Sequence, residues 1–255
     1  MSISRASRWT AAIVAVLGLW SCSKEGALNT LAPRSAQSLA TASSTTQTIT
    51  IPFDSNNFST HRPNSFFPLV PRTTYDYRQE TPDGVETNHV AISQDTKMIV
   101  GVTTTVIRDQ VYLEGVLKED TFDWYASDKD GNVWYFGEDT KTFANGQVVS
   151  TLGSWEAGKA NAQAGIVMLA NPMIGDVYQQ ENSPGVVADM ARVKALNQTA
   201  VVPYGTLTGC LKTQEWTPIE PGSRAFKLYA PGIGTVMEDE NKAGGPVVLT
   251  GFSTP

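Results

Sequence analysis

The sequence predicts an all-β protein: a single large curved antiparallel sheet, a half-barrel or open barrel, with little helix. Three observations lead there. From Phe66 onward, short runs rich in Val, Ile, Thr, Tyr and Trp recur at a spacing of roughly ten to fifteen residues. Between them stands turn chemistry, PDG, SQDT, KDGN, ANG, PYGT and IEPG, and links that short make neighbouring strands antiparallel, because a parallel crossover needs about a dozen residues. A meander of about ten or more strands must then curl or close, since a flat sheet of that width leaves long unpaired edges.

The amino terminus is an address rather than part of the fold. Arg5 and Arg8 precede an apolar run from Ala11 to Trp20, too short to span about 30 Å of hydrocarbon as a helix, so residues 1–21 read as an export signal peptide. Leu19 to Cys22, LWSC, resembles a bacterial lipobox, which implies an acylated Cys22 and a membrane tether, with ordinary cleavage as the alternative. Ser23 after the cysteine implies, by the same resemblance, the outer membrane. With Cys22 lipidated, Cys210 has no intramolecular partner and the fold stands on its core alone; a Cys22–Cys210 bridge is the other option.

Residues 22–64 form a linker, at its most biased between Ser35 and Thr50, where nine of sixteen residues are Ser or Thr. Residues 65–240 are one β domain and residues 241–255 a C-terminal tail. The chain has 19 basic and 25 acidic residues; removing the signal takes away Arg5 and Arg8 and leaves 17 against 25, a net charge of −8. That balance repels phosphate backbones, so no nucleic-acid partner is expected.

Within the domain the expected strands, in order, are Thr73–Arg78, Glu86–Ser93, Lys97–Ile107, Gln110–Leu113, Thr121–Ala126, Asn132–Gly137, Gln147–Trp155, Asp176–Gln180, Ala188–Leu196, Thr199–Val202, Gly209–Trp216, Ser223–Tyr229 and Gly234–Glu238. Asn161–Met168 and Met190–Ala195 could instead be brief helices. The central hairpin has two apolar faces: Phe122 and Trp124 share one face of its first strand and Tyr125 takes the other, while Trp134 and Phe136 oppose Val133 and Tyr135 on its second. One face can pack a core and the other line a pocket.

The stretch FDWYASDKDGNVWYFGEDT carries the candidate chemistry. Asp128, Asp130 and Asn132 begin a calcium-loop spacing, but counting from Asp128 the sixth and twelfth positions hold Val133 and Asp139 where an EF-hand needs Gly and Glu. A turn capped by Asp128 around Gly131 is the simpler reading, with a calcium ion on those three residues the alternative; no other cofactor is expected. Acids gather nearby at Glu114, Glu119, Asp120, Asp123, Glu138 and Asp139. An acid–base pair drawn from Asp120, Asp123, Glu138 and Asp139, with His89 as helper, would suit a hydrolase or lyase. Trp124, Tyr125, Trp134, Tyr135, Trp155 and Trp216 are the rings that could line a pocket. With only His61 and His89, an imidazole zinc site is not expected. No GxSxG, HExxH, P-loop or dinucleotide fingerprint is present.

FFPLVPRTTYDYRQETPDG near residue 66, GNVWYFGE in the hairpin and YAPGIG from Tyr229 to Gly234 recur together. In this combination the chain is similar to a broad set of bacterial secreted proteins and lipoproteins with no established reaction, in which such segments bracket a curved β-sheet. It departs from that pattern at Thr235 and Thr73–Thr74, where an apolar residue or Trp is commoner. A looser likeness of architecture, to the half-barrels of lipoprotein carriers, implies a concave apolar face. The leading expectation is an exported, lipid-anchored or secreted envelope protein that binds an apolar or amphipathic small molecule. A small carboxylate-dependent enzyme and a ligand-free structural lipoprotein are the alternatives.

Overall fold

The protein, as a computed structural model, is described for residues 48–58, 62–240 and 243–255. The signal peptide, Cys22 and most of the Ser/Thr-rich segment lie outside the described residues. A single 3-10 turn, Ser55–Phe58, precedes fifteen strands. In chain order these are β1 (Thr74–Thr81), β2 (Gly84–Ile99), β3 (Val102–Leu113), β4 (Val116–Ser127), β5 (Val133–Ala144), β6 (Gln147–Ser150), β7 (Trp155–Glu156), β8 (Gln163–Met168), β9 (Val177–Gln179), β10 (Glu181–Asn182), β11 (Met190–Val202), β12 (Gly205–Trp216), β13 (Ala225–Ala230), β14 (Gly234–Asp239) and β15 (Val247–Ser253). No helix among the described residues is long and apolar enough to cross a membrane.

The strands form one antiparallel sheet in the order β10-β8-β5-β4-β3-β2-β1-β15-β14-β13-β12-β11-β9, with β6 and β7 pairing β5 off that path. It curls into a nearly closed barrel with one unsealed seam. Two meanders, β1 to β5 and β11 to β15, are joined where β15 inserts between β1 and β14. The segment expected as a C-terminal tail is therefore the strand that joins the two halves. Its alternation, with Val247 and Leu249 buried and Thr250 exposed, is the ordinary pattern of a strand with one wet face.

At the opposite side the seam is spanned by a continuous stretch that changes partner. Val177–Gln179 pairs with β11, and Glu181–Asn182, one residue later, pairs with β8. Gly165 makes this approach feasible: a Cβ there would lie 2.2 Å from the Gln180 carbonyl oxygen.

Both stretches that could have been brief helices are strands, β8 and β11, because each finds a sheet neighbour on which to bury alternate residues. SQDT is not a turn. It lies inside the sixteen-residue β2, where a register shift between Ile92 and Thr96 absorbs it and Gln94, Asp95 and Thr96 face solvent. The reversal comes at Val100 and Gly101, both with positive φ.

Part of the expected linker is also ordered against the barrel. Ile49 N–H donates to the Val177 carbonyl, and Phe53 and Phe58 lie against Trp134 and Phe136 with ring centroids 5.6–6.0 Å apart. These contacts cover the outer face of β5, which explains why a strand with aromatics on both sides is buried on both. Further on, Asn64 pins a strap across one barrel mouth. Its amide donates to the carbonyls of Gly131 and Leu169 and accepts from the backbone of Phe66 and Phe67.

Candidate functional site

Strand parity decides which acids enter the barrel. Along β3 and β4, exposed Arg108 alternates with buried Asp109, and Asp120 outside alternates with Glu119, Thr121 and Asp123 inside. The four acids expected as an acid–base set are divided by this rule. Asp120 takes a bidentate bond from Arg108 on the outer surface, and Asp139 binds Lys141 there. Asp123 and Glu138, by contrast, are direct cross-strand partners inside, where Tyr135 Oη donates to Asp123 Oδ1 at 2.6 Å and lies 3.3 Å from Glu138 Oε2. His89 is outside, bonded to Asp76 on the exposed face of β1 and β2.

The six aromatic rings are divided as well. Tyr125 and Tyr135 stack inside at 4.5 Å, and Trp155 meets Tyr135 edge-on at 5.3 Å. Trp124 is on the outer face beneath the Lys97 ammonium at 3.2 Å, Trp216 lies beside Arg192, and Trp134 looks outward to Phe53. Trp134 also borders an external concavity of about 530 Å³ between Thr48–Phe53 and the strands at the seam. The hairpin turn holds Asp128 by both oxygens. Oδ1 accepts the backbone N–H groups of Asp130, Gly131 and Asn132, and Oδ2 accepts Asn132 Nδ2 and Trp134 Nε1.

Inside the barrel lies a cavity of about 100 Å³ at the strapped mouth. Tyr75, Tyr77, Tyr125 and Tyr229 give it rings, Ile92 and Ile107 give it aliphatic wall, and Asp109, Asp123 and Lys227 give it charge. Phe67 and Pro68 of the strap close one side. Tyr75 and Tyr77 donate their hydroxyls to the carbonyls of Ile233 and Thr235, which fixes the rings. Lys227 Nζ sits 3.0 Å from Glu215 Oε2 and 3.6 Å from Glu238 Oε2. Tyr229 and Thr213 hydroxyls donate to the other Glu215 oxygen.

The electrostatics follow from enclosure. Burial first, then the Glu119 charge, holds the Asp109 carboxyl well above the usual carboxylate range, with the Asn88 amide pulling the other way. Burial and Glu138 do the same to Asp123. Burial pushes Asp189 up to about 7 and Glu238 up to about 8, the latter held back by Lys227. Burial would lower the lysine's own pKa, but Glu215 and Glu238 outweigh it and the pKa is raised. Chemically, the interior can store protons, hold a cation, or offer a protonated carboxyl as an acid.

Sequence reasoning missed Asp109, Tyr75, Tyr77 and Lys227. Signals existed: TYDYRQE alternates rings with charges, and FKLYA sets one lysine at a buried position of an apolar strand.

No family model matches the chain, and no curated protein matches it. Among solved structures, the 2.70 Å crystal structure of a candidate lipoprotein from Parabacteroides distasonis aligns over 76% of this chain and 100% of its own, with a TM-score of 0.41 and 10% identity. A likeness so distant carries no argument about function.

Proposed function

We propose that the chain is an exported envelope protein, tethered through Cys22, whose barrel holds a small amphipathic molecule at its strapped mouth. The observation that carries this reading is the interior cavity, where four tyrosine rings and aliphatic wall converge with the carboxyls of Asp109 and Asp123. Apolar enclosure with a few placed polar groups is the usual make-up of a small-molecule site. At about 30 Å³ per water, its volume matches roughly three waters, which limits the buried part of the ligand to a handful of heavy atoms. The export reading is supported by Arg5, Arg8, the apolar run and LWSC, and replacing Cys22 with Ser should release the protein from the membrane fraction.

Native mass spectrometry of the full chain from an export-competent host tests the ligand reading. A retained mass that leaves on denaturation, and is lost in a Val90→Phe variant with an unchanged circular dichroism spectrum, is the expected result; Val90 borders the cavity and is only partly buried. A bare mass for the wild-type protein, with no small molecule raising its melting temperature, overturns it.

One observation favours a second reading, a carboxylate-dependent hydrolase or lyase. Asp123 opens on the cavity while paired through Tyr135 to Glu138, and a carboxyl with a raised pKa is what a general acid needs. Turnover with a pH–rate profile that loses its acidic limb in Asp123→Asn would support it, whereas a ligand retained chemically intact would count against it.

A further inference from the structure

We infer that the molecule held at the strapped mouth is a small organic cation, an alkylammonium group seated between Asp109 and Asp123 with its carbons against the tyrosine rings. The inference rests on the interior cavity being the ligand site and names the class of ligand.

Charge balance is the first support. Lys227 is the one buried basic side chain among the described residues, and it is held by Glu215 and Glu238 on the β12 and β14 side. No basic side chain among the described residues pairs with Asp109 or Asp123 on the β3 and β4 side, although both border the cavity. The Asp109 carboxyl is buried, points inward by strand alternation, and leaves Oδ1 with no hydrogen-bond partner. Without a bound cation, burial keeps the Asp109 carboxyl protonated; an ammonium that displaces this proton to solvent supplies the charge partner and a donor for the unpartnered oxygen together.

The remaining lining suits the same ligand. Three of the four tyrosines already donate their hydroxyls, Tyr75 and Tyr77 to backbone carbonyls and Tyr229 to Glu215, so they offer the ligand ring surface and not a hydroxyl proton. Ring faces attract cations, most strongly where water is excluded. An anion would meet two carboxyls and a lysine already engaged. The volume of about 100 Å³ takes the ammonium head and first carbons of an alkylammonium chain.

The test is calorimetric titration of the full chain near neutral pH with n-butylammonium chloride, 1-butanol and sodium butyrate, which share a carbon chain and differ in charge. The expected result is binding of the ammonium at least about tenfold tighter than the alcohol, with no butyrate binding. Asp109→Asn, which keeps the shape of the side chain, should abolish that preference while butanol binds as before, and Val90→Phe should weaken both. If ammonium and alcohol bind alike, or the preference survives in Asp109→Asn, the cation inference is overturned and the interior site stands. If none of the three binds, the cation inference is overturned; if the protein also carries no native ligand, the interior site falls with it.

Discussion

Replacing Asp189 with Asn should remove one part of a pH dependence that runs opposite to the common one. The Asp189 side chain is 1% exposed, Oδ2 meets no donor, and burial lifts its pKa from 3.8 to about 7. A carboxyl whose pKa is raised by folding binds its proton more tightly in the native state. Its contribution is therefore fully present below about pH 4 and is lost as pH rises through about 7. At about 1.4 kcal/mol for each pH unit separating the two pKa values, Asp189 alone removes about 4 kcal/mol by pH 8. Glu238, lifted to about 8, adds a loss of the same sign over a window reaching slightly higher. Urea unfolding of wild type and Asp189→Asn in small steps from about pH 4 to pH 8 measures this directly. The two should be similar near pH 4, and the variant should be more stable by a few kcal/mol near pH 8. Parallel curves across that range would show that Asp189 does not carry the proton, and the account of the interior as a proton store would fail.

Three other perturbations probe separate parts of the structure. Lys227→Met strands Glu215 and Glu238 in the interior and should cost about 3–5 kcal/mol in urea unfolding at neutral pH, with part recovered by adding Glu238→Gln. Asp128→Ala removes the acceptor for three backbone N–H groups, Asn132 Nδ2 and Trp134 Nε1, so a loss of about 3 kcal/mol or more is expected by thermal unfolding. Gly165→Val forces β8 off the Gln180 carbonyl; hydrogen exchange should quicken in Gln163–Met168 and Val177–Asn182 before the rest of the barrel.

The all-β class and most strand positions were legible because they rest on local signals, β-branched runs and turn residues. The boundaries that went astray have physical reasons. SQDT has the composition of a turn, but polar side chains are equally content on the wet face of a long strand, and only the neighbouring β3 tells the two apart. Residues 241–255 look like a tail because β15 has its partners at the far end of the domain, on β1 as well as β14. The central hairpin's acids were visible, but whether each faced water or the interior depended on the register of β4 and on closure of the sheet. Asp123 and Glu138 meet only because a shift in the β4–β5 ladder follows Asp123. Asp109 and Lys227 are far apart in sequence and share a cavity only after the two meanders join.

That joining gives the interior its asymmetry. The meander that ends in β15 brings acids and their counter-ion together, since β12, β13 and β14 place Glu215, Lys227 and Glu238 side by side. The meander that begins with β1 brings acids without one, because the basic residue of β3, Arg108, falls on the outward parity and spends its charge on Asp120 outside. Shifting β3 by a single residue would turn Arg108 inward in place of Asp109 and give this half a cation of its own. The cavity lies where the two halves meet, bordered by Lys227 from the compensated half and by Asp109 and Asp123 from the uncompensated one. A barrel selected for stability alone would gain by placing aliphatic residues at Asp109 and Asp123, as β11 does with Ala191 and Val193. The carboxyls without a cationic partner and the open volume coincide, and an arriving cation would take the place of their protons.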